Sequence, residues 1–337
     1  MIQCILSSSN YCQSAVSEFD LIKTCFKSST LSRSDVLLGI GDDAAILQPP
    51  ADMQLVMTAD TLLAGVHFPH DTVAADVGYK ALAVNLSDLA AMGAMPAWAM
   101  LAITLPTADE IWLREFMRGF SELAGDYGMQ LIGGDTTAGP LSITVQLTGF
   151  ISPGKTLRRD AARPGDKIYV SGTLGDAALG LLYSAGRILS AVPLPYCLSR
   201  LHRPEPRVNL GRELLTISRC GIDISDGLIA DLGHIARASG CRAIIYLDKL
   251  PLSDELQAYF ATTIDWSVIA TGGDDYELCF TVPPQHAFVL DAIAKKAHIR
   301  LTCIGEIQAG EGVQCLDTSG KEIKFNATGY NHFVDHK

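Results

Sequence analysis

Several features are scarce in this chain, and each scarcity excludes something. No apolar run approaches the roughly 18 residues that a bilayer-spanning helix needs, so no membrane association is expected. Met1 to Asn10 has no basic stretch ahead of a long apolar run, so no secretory leader is read there. The nine cysteines, from Cys4 to Cys315, include no CxxC pair, and their odd number argues against a disulfide framework or a zinc ribbon. They read as small buried hydrophobes in a reducing cytoplasm. Basic residues are outnumbered, with Lys+Arg 26 against Asp+Glu 37 and a formal net charge of −11, so nucleic acid is not an expected partner. Small anionic ligands stay open, because bound cations invert a local field.

What is present is a chain of 337 residues, 48% hydrophobic and 19% charged, enough for two domains with real cores. Periodicity predicts helices at Ala74–Met92, Asp109–Tyr127, Gly175–Ile188, Pro206–Ser218, Leu228–Ser239 and Gln285–Ala297, and one starting at Ser17. Strands are expected at Gln54–Ala59, Trp98–Leu105, Leu141–Phe150, Lys167–Ser171, Ala243–Leu247, Leu278–Val282 and Leu301–Ile304. The turn-rich stretch from Ser152-Pro153-Gly154 to Pro164-Gly165-Asp166 reads as a domain boundary. We therefore expect a loose extension at 1–16, one domain at 17–152 and another at 153–337, with α/β or α+β architecture in both.

Two phosphate motifs are decoys. Gly149 to Thr156 satisfies the Walker A pattern, but Pro164-Gly165 leaves no room for the helix that must start at Lys155-Thr156, and Pro153 removes an amide from the cradle. Gly39-Ile40-Gly41 imitates a dinucleotide fingerprint, yet Pro49-Pro50 blocks a following helix and Asp42-Asp43 would repel a pyrophosphate.

More informative is a series of acidic residues among small ones: Asp42-Asp43, Asp60, Asp88, Asp135 after Gly133-Gly134, Asp223 and Asp226 around Ser225, and Asp274-Asp275 after Gly272-Gly273. Several directly follow an apolar run, which places them at strand ends facing a ligand. Each also fits an ordinary turn or cap role. Together they point to a hard cation such as Mg²⁺ bound with a polyphosphate, because convergent carboxylates repel one another without metal. On the helix ending at Met92, Gly78, Ala81, Asn85 and Asp88 form a small stripe that suits a cleft, a partner subunit or close helix packing. Lys155, Arg158, Arg159 and Arg163 read as a phosphate clamp or a solvated linker. His67 and the segment Gly272 to Glu277 are open to ligand contact or to plain structural roles.

Taken in order, the motifs resemble one family. Gly39 to Asp43, Thr58-Ala59-Asp60-Thr61, His67-Phe68, Lys80 to Ala94, Gly133 to Thr137, Asp223 to Leu228, Gly272 to Leu278 and Gly329 to Phe333 are similar to those of the thiamine-monophosphate kinases, over roughly residues 18–334. The resemblance implies a two-domain fold of the aminoimidazole ribonucleotide synthetase type, in which the N-terminal sheet pairs across a homodimer into a β-barrel. It implies transfer from ATP to thiamine monophosphate with several Mg²⁺ ions. Carried over by position, Asp43, Thr58, Ala59 (through its carbonyl), Asp60, Asp88, Asp135, Asp223 and Asp226 are metal ligands. Gly134, Asp135, Arg159 and Ser225 contact ATP, and His67, Asp274 and Phe333 hold thiamine monophosphate. Asp274 stands where the family commonly has Glu.

On this reading Asp43, Asp60, Asp88, Asp135 and Asp223 act through metal, with Arg159 adding charge, and transfer is direct, without a covalent enzyme intermediate. The competing readings are another synthetase of the same superfamily, or a nucleotide-binding regulator that keeps the scaffold.

Overall fold

The structure, a computed structural model, describes residues 22–27, 31–191, 193–326 and 329–330. The expected extension 1–16, the start of the helix expected from Ser17 and the expected ligand residue Phe333 lie outside the described residues. Among the described residues, no helix is long and apolar enough to cross a membrane.

A short ribbon of β1 (Val36–Leu38) and β2 (Ile46–Leu47) precedes a four-stranded sheet. Its strands are β3 (Gln54–Leu63), β4 (Met95–Leu105), β5 (Gln130–Ala138) and β6 (Ser142–Ile151), in the order β3-β6-β4-β5. One face is covered by α1 (Ala74–Met92) and α2 (Glu110–Asp126), and α2 links the parallel pair β4 and β5. α1 lacks proline and stops at Gly93, whose left-handed backbone (φ 72) lets the Gly93 and Ala94 amides cap the carbonyls of Ala90 and Leu89. It is apolar nearly all round and buried over most of its length, as a central helix must be. The small stripe resolves in favour of helix packing at Gly78, where a Cβ would lie 1.9 Å from the Phe116 carbonyl oxygen of α2.

The second sheet holds β7 (Lys167–Ser171), β8 (Cys220–Asp223), β9 (Arg242–Tyr246), β10 (Leu278–Val282), β11 (Leu301–Gln308), β12 (Gly312–Leu316) and β13 (Glu322–Ile323). Their order is β13-β12-β9-β11-β7-β10-β8, antiparallel except for β9 with β12. Its helices are α3 (Asp176–Ser184), α4 (Pro195–His202), α5 (Val208–Leu214), α6 (Leu228–Ser239), α7 (Asp254–Phe260), α8 (Trp266–Thr271) and α9 (Leu290–Ala297). Alternate residues of β10 serve two cores. Phe280 and Val282 join α1, α2 and α5 in the larger one, whereas Cys279 joins Ile222, Leu228 and Ile245 in the other. The larger core therefore crosses from one sheet to the other.

Some element boundaries differ from expectation. The expected end of β3 at Ala59 is overrun, because Thr61, Leu62 and Leu63 go on pairing with Thr144, Ile143 and Ser142 of β6. Asp60 is thus inside a strand rather than at its end. β5 is absent from the sequence reading, since Gly133-Gly134-Asp135 has the composition of a turn. Here Gly134 and Asp135 lie opposite Leu101 and Ala102 of β4. The approach is so close that a Cβ on Gly134 would sit 1.7 Å from the Leu101 carbonyl oxygen. Of the helices, the one expected at Gly175–Ile188 shortens to α3 and that at Pro206–Ser218 to α5. α9 is preceded by a 3₁₀ turn, Pro284–Val289. The Walker-like segment forms a tight turn (Lys155 N–H to the Ser152 carbonyl, 3.0 Å), and the Thr156 hydroxyl is spent on the carbonyls of Met92 and Leu157.

Candidate active site

The two sheets meet at a cleft of about 660 Å³. One side is acidic: Asp60 from β3, Asp88 from α1, Asp223 at the end of β8, Asp226 in the turn beyond it, and Asp274 in the strap that leads from α8 to β10. Ser225 and His67 also line it. The rest is largely apolar, with Val66, Val84, Ala177, Leu181 and Val268. The cleft-facing residues of α1 are Lys80, Val84 and Asp88, four apart, so of the expected small stripe Asp88 alone lines the cleft.

Local structure fixes each acid differently. Strand alternation turns Thr58 and Asp60 toward α1 and the exposed Ala59 side chain to the opposite face of the sheet. The Thr58 hydroxyl donates to the Asp88 carboxylate, and the buried Ser87 hydroxyl donates to Asp223 Oδ2 at 2.8 Å. The turn carrying Ser225 and Asp226 is shaped by Asp231, a buried first-turn residue of α6 whose Oδ2 accepts the amides of Ser225, Asp226 and Gly227, each at 3.1 Å. The strap is laid against this turn by the Asp274 amide to the Ser225 carbonyl and the Tyr276 amide to the Ile224 carbonyl, both 2.8 Å. His67 Nδ1 accepts the Leu63 amide at 2.9 Å.

Burial and mutual repulsion mark these acids electrostatically. Asp60 is pushed up to about 6 by burial and then by Asp88 and Asp226. Asp223 is pushed up to about 8 by burial and then by Asp88. Burial also raises Asp88, against the pull of the Thr58 hydroxyl and the Arg159 charge. Asp231 rises to about 7 through burial and Asp226, although three amides draw it the other way. Such a site favours cations, and its donors are hard oxygens, which fit Mg²⁺. Among the described residues no three acidic, His or Cys side chains close into a complete metal cage. Mg²⁺ generally binds through one or two carboxylates plus waters and substrate phosphates.

Not every expected residue faces this cleft. Asp43, Gly134 and Asp135 line a second cavity of about 510 Å³, between the 39–45 loop and β5. Arg159 lies with Thr58 and Asp88 around a third, so it borders the acidic wall from outside. Arg158 lines the same third cavity, paired with Asp160 at 2.5 Å, whereas Lys155 belongs to a separate cavity beside Arg212. Lys80 lines the cleft and Asp231 shapes the 225–227 turn, and neither is among the site residues expected from the sequence. Lys80 stands in a conspicuous motif, but a lysine in an apolar helix gives no sign of what it faces. Of the seven described cysteines six are buried, and none lines the cleft.

The fold and this inter-sheet cleft define a class. Residues 41–151 match the N-terminal domain, and residues 163–317 the C-terminal domain, of the AIR synthase related proteins. Within the class the similarity is sharper. The thiamine-monophosphate kinase of Escherichia coli K12 is 47% identical over 324 residues, spanning 95% of this chain and 99% of the relative. The crystal structure of the thiamine-monophosphate kinase from Stenotrophomonas maltophilia K279a superposes with a TM-score of 0.83 at 49% identity, covering 91% of this chain and 98% of that one. AaThiL complexed with AMPPCP and TMP gives 0.74 at 33% identity, covering 94% and 97%. This chain belongs to the thiamine-monophosphate kinase family.

Proposed function

We propose that the protein phosphorylates thiamine monophosphate with ATP, giving ADP and thiamine diphosphate, the last step of thiamine diphosphate synthesis. The observation that carries this reading is the two-sided cleft, acidic at Asp60, Asp88, Asp223 and Asp226 and apolar at Val66, Val84, Leu181 and Val268, in a chain of this family. The apolar side suits flat heterocycles, and the acidic side suits phosphates that arrive with cations.

The acceptor phosphate needs no general base, because its second pKa is about 6 and it is already anionic near neutral pH. One of its oxygens attacks the γ-phosphorus of ATP. The new O–P bond forms as the bond from that phosphorus to the β–γ bridging oxygen breaks, and the electron pair leaves with ADP. In this reading Asp43, Thr58, the Ala59 carbonyl, Asp60, Asp88, Asp135, Asp223 and Asp226 are the metal-binding set. Mg²⁺ bound there would neutralise the two polyanions and align them. Gly134, Asp135, Arg159 and Ser225 contact ATP, and His67, Asp274 and Phe333 contact thiamine monophosphate. Arg159 adds a fixed positive charge beside Thr58 and Asp88. No phospho-enzyme forms, and no cysteine or histidine acts as nucleophile.

A homodimer and the division into 17–152 and 153–337 are part of the same proposal. The part of the four-stranded sheet that no described residue covers supports the dimer: Met57 is 64% exposed and Met100 43%, with Ala59, Leu63 and Ala102 on the same face. Two such faces closing together would form a shared barrel.

The test is a coupled ADP assay across phosphorylated acceptors. ADP release that depends on thiamine monophosphate and on Mg²⁺ is the expected result. Release with other acceptors but not this one would favour a different enzyme of the class, and tight ATP binding without turnover would favour a regulator.

A further inference from the structure

Lys80 enters the cleft from α1, about two turns before Asp88. Its side chain is 3% exposed, and Nζ donates to the His67 carbonyl and to Asp274 Oδ2, each at 3.1 Å. His67 follows β3 in the first half of the molecule, and Asp274 belongs to the strap of the second. One ammonium thus joins two residues assigned to the acceptor substrate, from opposite sides of the cleft. We propose that Lys80 is a positioning residue for thiamine monophosphate: it ties the His67 carbonyl to the Asp274 carboxylate at a fixed spacing, so that Asp274 meets the substrate as an oriented hydrogen-bond acceptor rather than as an unpaired anion. The proposal rests on the kinase reading above.

The strap needs such a tie. Asp274 (φ 69) and Tyr276 (φ 49) both hold left-handed backbone, which non-glycine residues adopt only when their surroundings impose it. The far end is fastened by Glu277, a buried carboxylate that accepts from Arg207 at 2.6 and 2.7 Å, from Arg200 at 2.9 Å and from the Ser171 hydroxyl at 2.5 Å. The near end is held through the Asp274 carboxylate, with the Tyr276 hydroxyl on Oδ1 at 3.0 Å and Lys80 on Oδ2. Each oxygen keeps a lone pair for a ligand donor, in a direction its protein partner sets. A buried ammonium is costly unless it is paired and hydrogen-bonded, and these two acceptors pair it and take two of its three N–H donors. The pair also cancels one negative charge at the substrate end of an acidic cleft.

Steady-state kinetics of Lys80→Met, Asp274→Asn and the double variant test this. Lys80→Met is expected to raise KM for thiamine monophosphate by about tenfold or more, while KM for ATP stays within about twofold. On the Asp274→Asn background the same change is expected to add less than about twofold, because Lys80 acts through Asp274. Equal increases in both KM values would make the role merely structural, and effects that multiply would mean that Lys80 touches a reactant directly; either overturns the proposal. Thermal melting identifies the folded variants, and where Lys80→Met does not fold, Lys80→Gln, which keeps a donor for the His67 carbonyl, carries the comparison. If the wild-type enzyme does not turn over thiamine monophosphate, the kinase reading fails and this inference with it; if it does and the variants show no split, only the role of Lys80 falls.

Discussion

The two sheets contribute to one cleft in opposite ways. The first places its acids on regular elements, Asp60 within β3 and Asp88 on α1, and among the described residues leaves part of one sheet face uncovered, beyond the end where the β1–β2 ribbon buries Trp98 and Phe150. The second is buried on both faces at β8 and β10, and its cleft residues Ser225, Asp226 and Asp274 sit on segments that connect these strands to the helices. Those segments are stiffened by buried carboxylates, Asp231 under the 225–227 turn and Glu277 behind the strap. A side chain on a central helix is aimed by the fold itself, whereas one on a loop needs a dedicated polar scaffold.

The comparison is sharpened first at α1. Asp88→Asn keeps size and shape and removes one charge from the rigid wall, so turnover at saturating Mg²⁺ should fall by at least about 100-fold, as measured by ADP release. Turnover near wild type would sink the metal assignment. Next comes the uncovered face. Met57→Glu puts a carboxylate into the proposed apolar seam and should shift the mass seen by light scattering from two chains toward one at micromolar protein. An unchanged dimer would move the interface elsewhere.

The smallest effect concerns Asp223. Its folded pKa of about 8 lies above the unfolded value of about 4, so the folded state binds the extra proton more tightly. In metal-free protein the resulting stabilisation is full below about pH 4 and is lost as the pH rises through about 8. Asp223→Asn removes that loss. In EDTA it should melt a few degrees above wild type at pH 8, with the gap narrowing toward pH 5, and a lower melting point at pH 8 would contradict the assignment.

Much of this was legible in the sequence because local and global signals agreed. Ala74–Met92 was read to the residue, since its apolar periodicity and the Gly93 stop describe the helix that packs there. β5 is not legible, because Gly133-Gly134-Asp135 has turn composition and only its pairing with β4 makes it a strand. The acids were found from their small, turn-like surroundings, yet that signal put Asp60 at a strand end when it lies inside one. It also gave no warning that Asp43 and Asp135 share a different cavity from Asp60 and Asp88. Lys80 was invisible as a site residue because its carboxylate partner is 194 positions away.

The larger core ignores the turn-rich junction at 152–166. Val208, Leu210 and Leu214 of α5 are among the residues that bury α1, so the larger core is shared between the two portions, while the smaller lies wholly in the second. A chimera that exchanged everything after residue 152 with a relative would graft a foreign surface onto the back of α1. The practical unit of exchange is therefore α1 together with α5, wherever the crossover point is drawn.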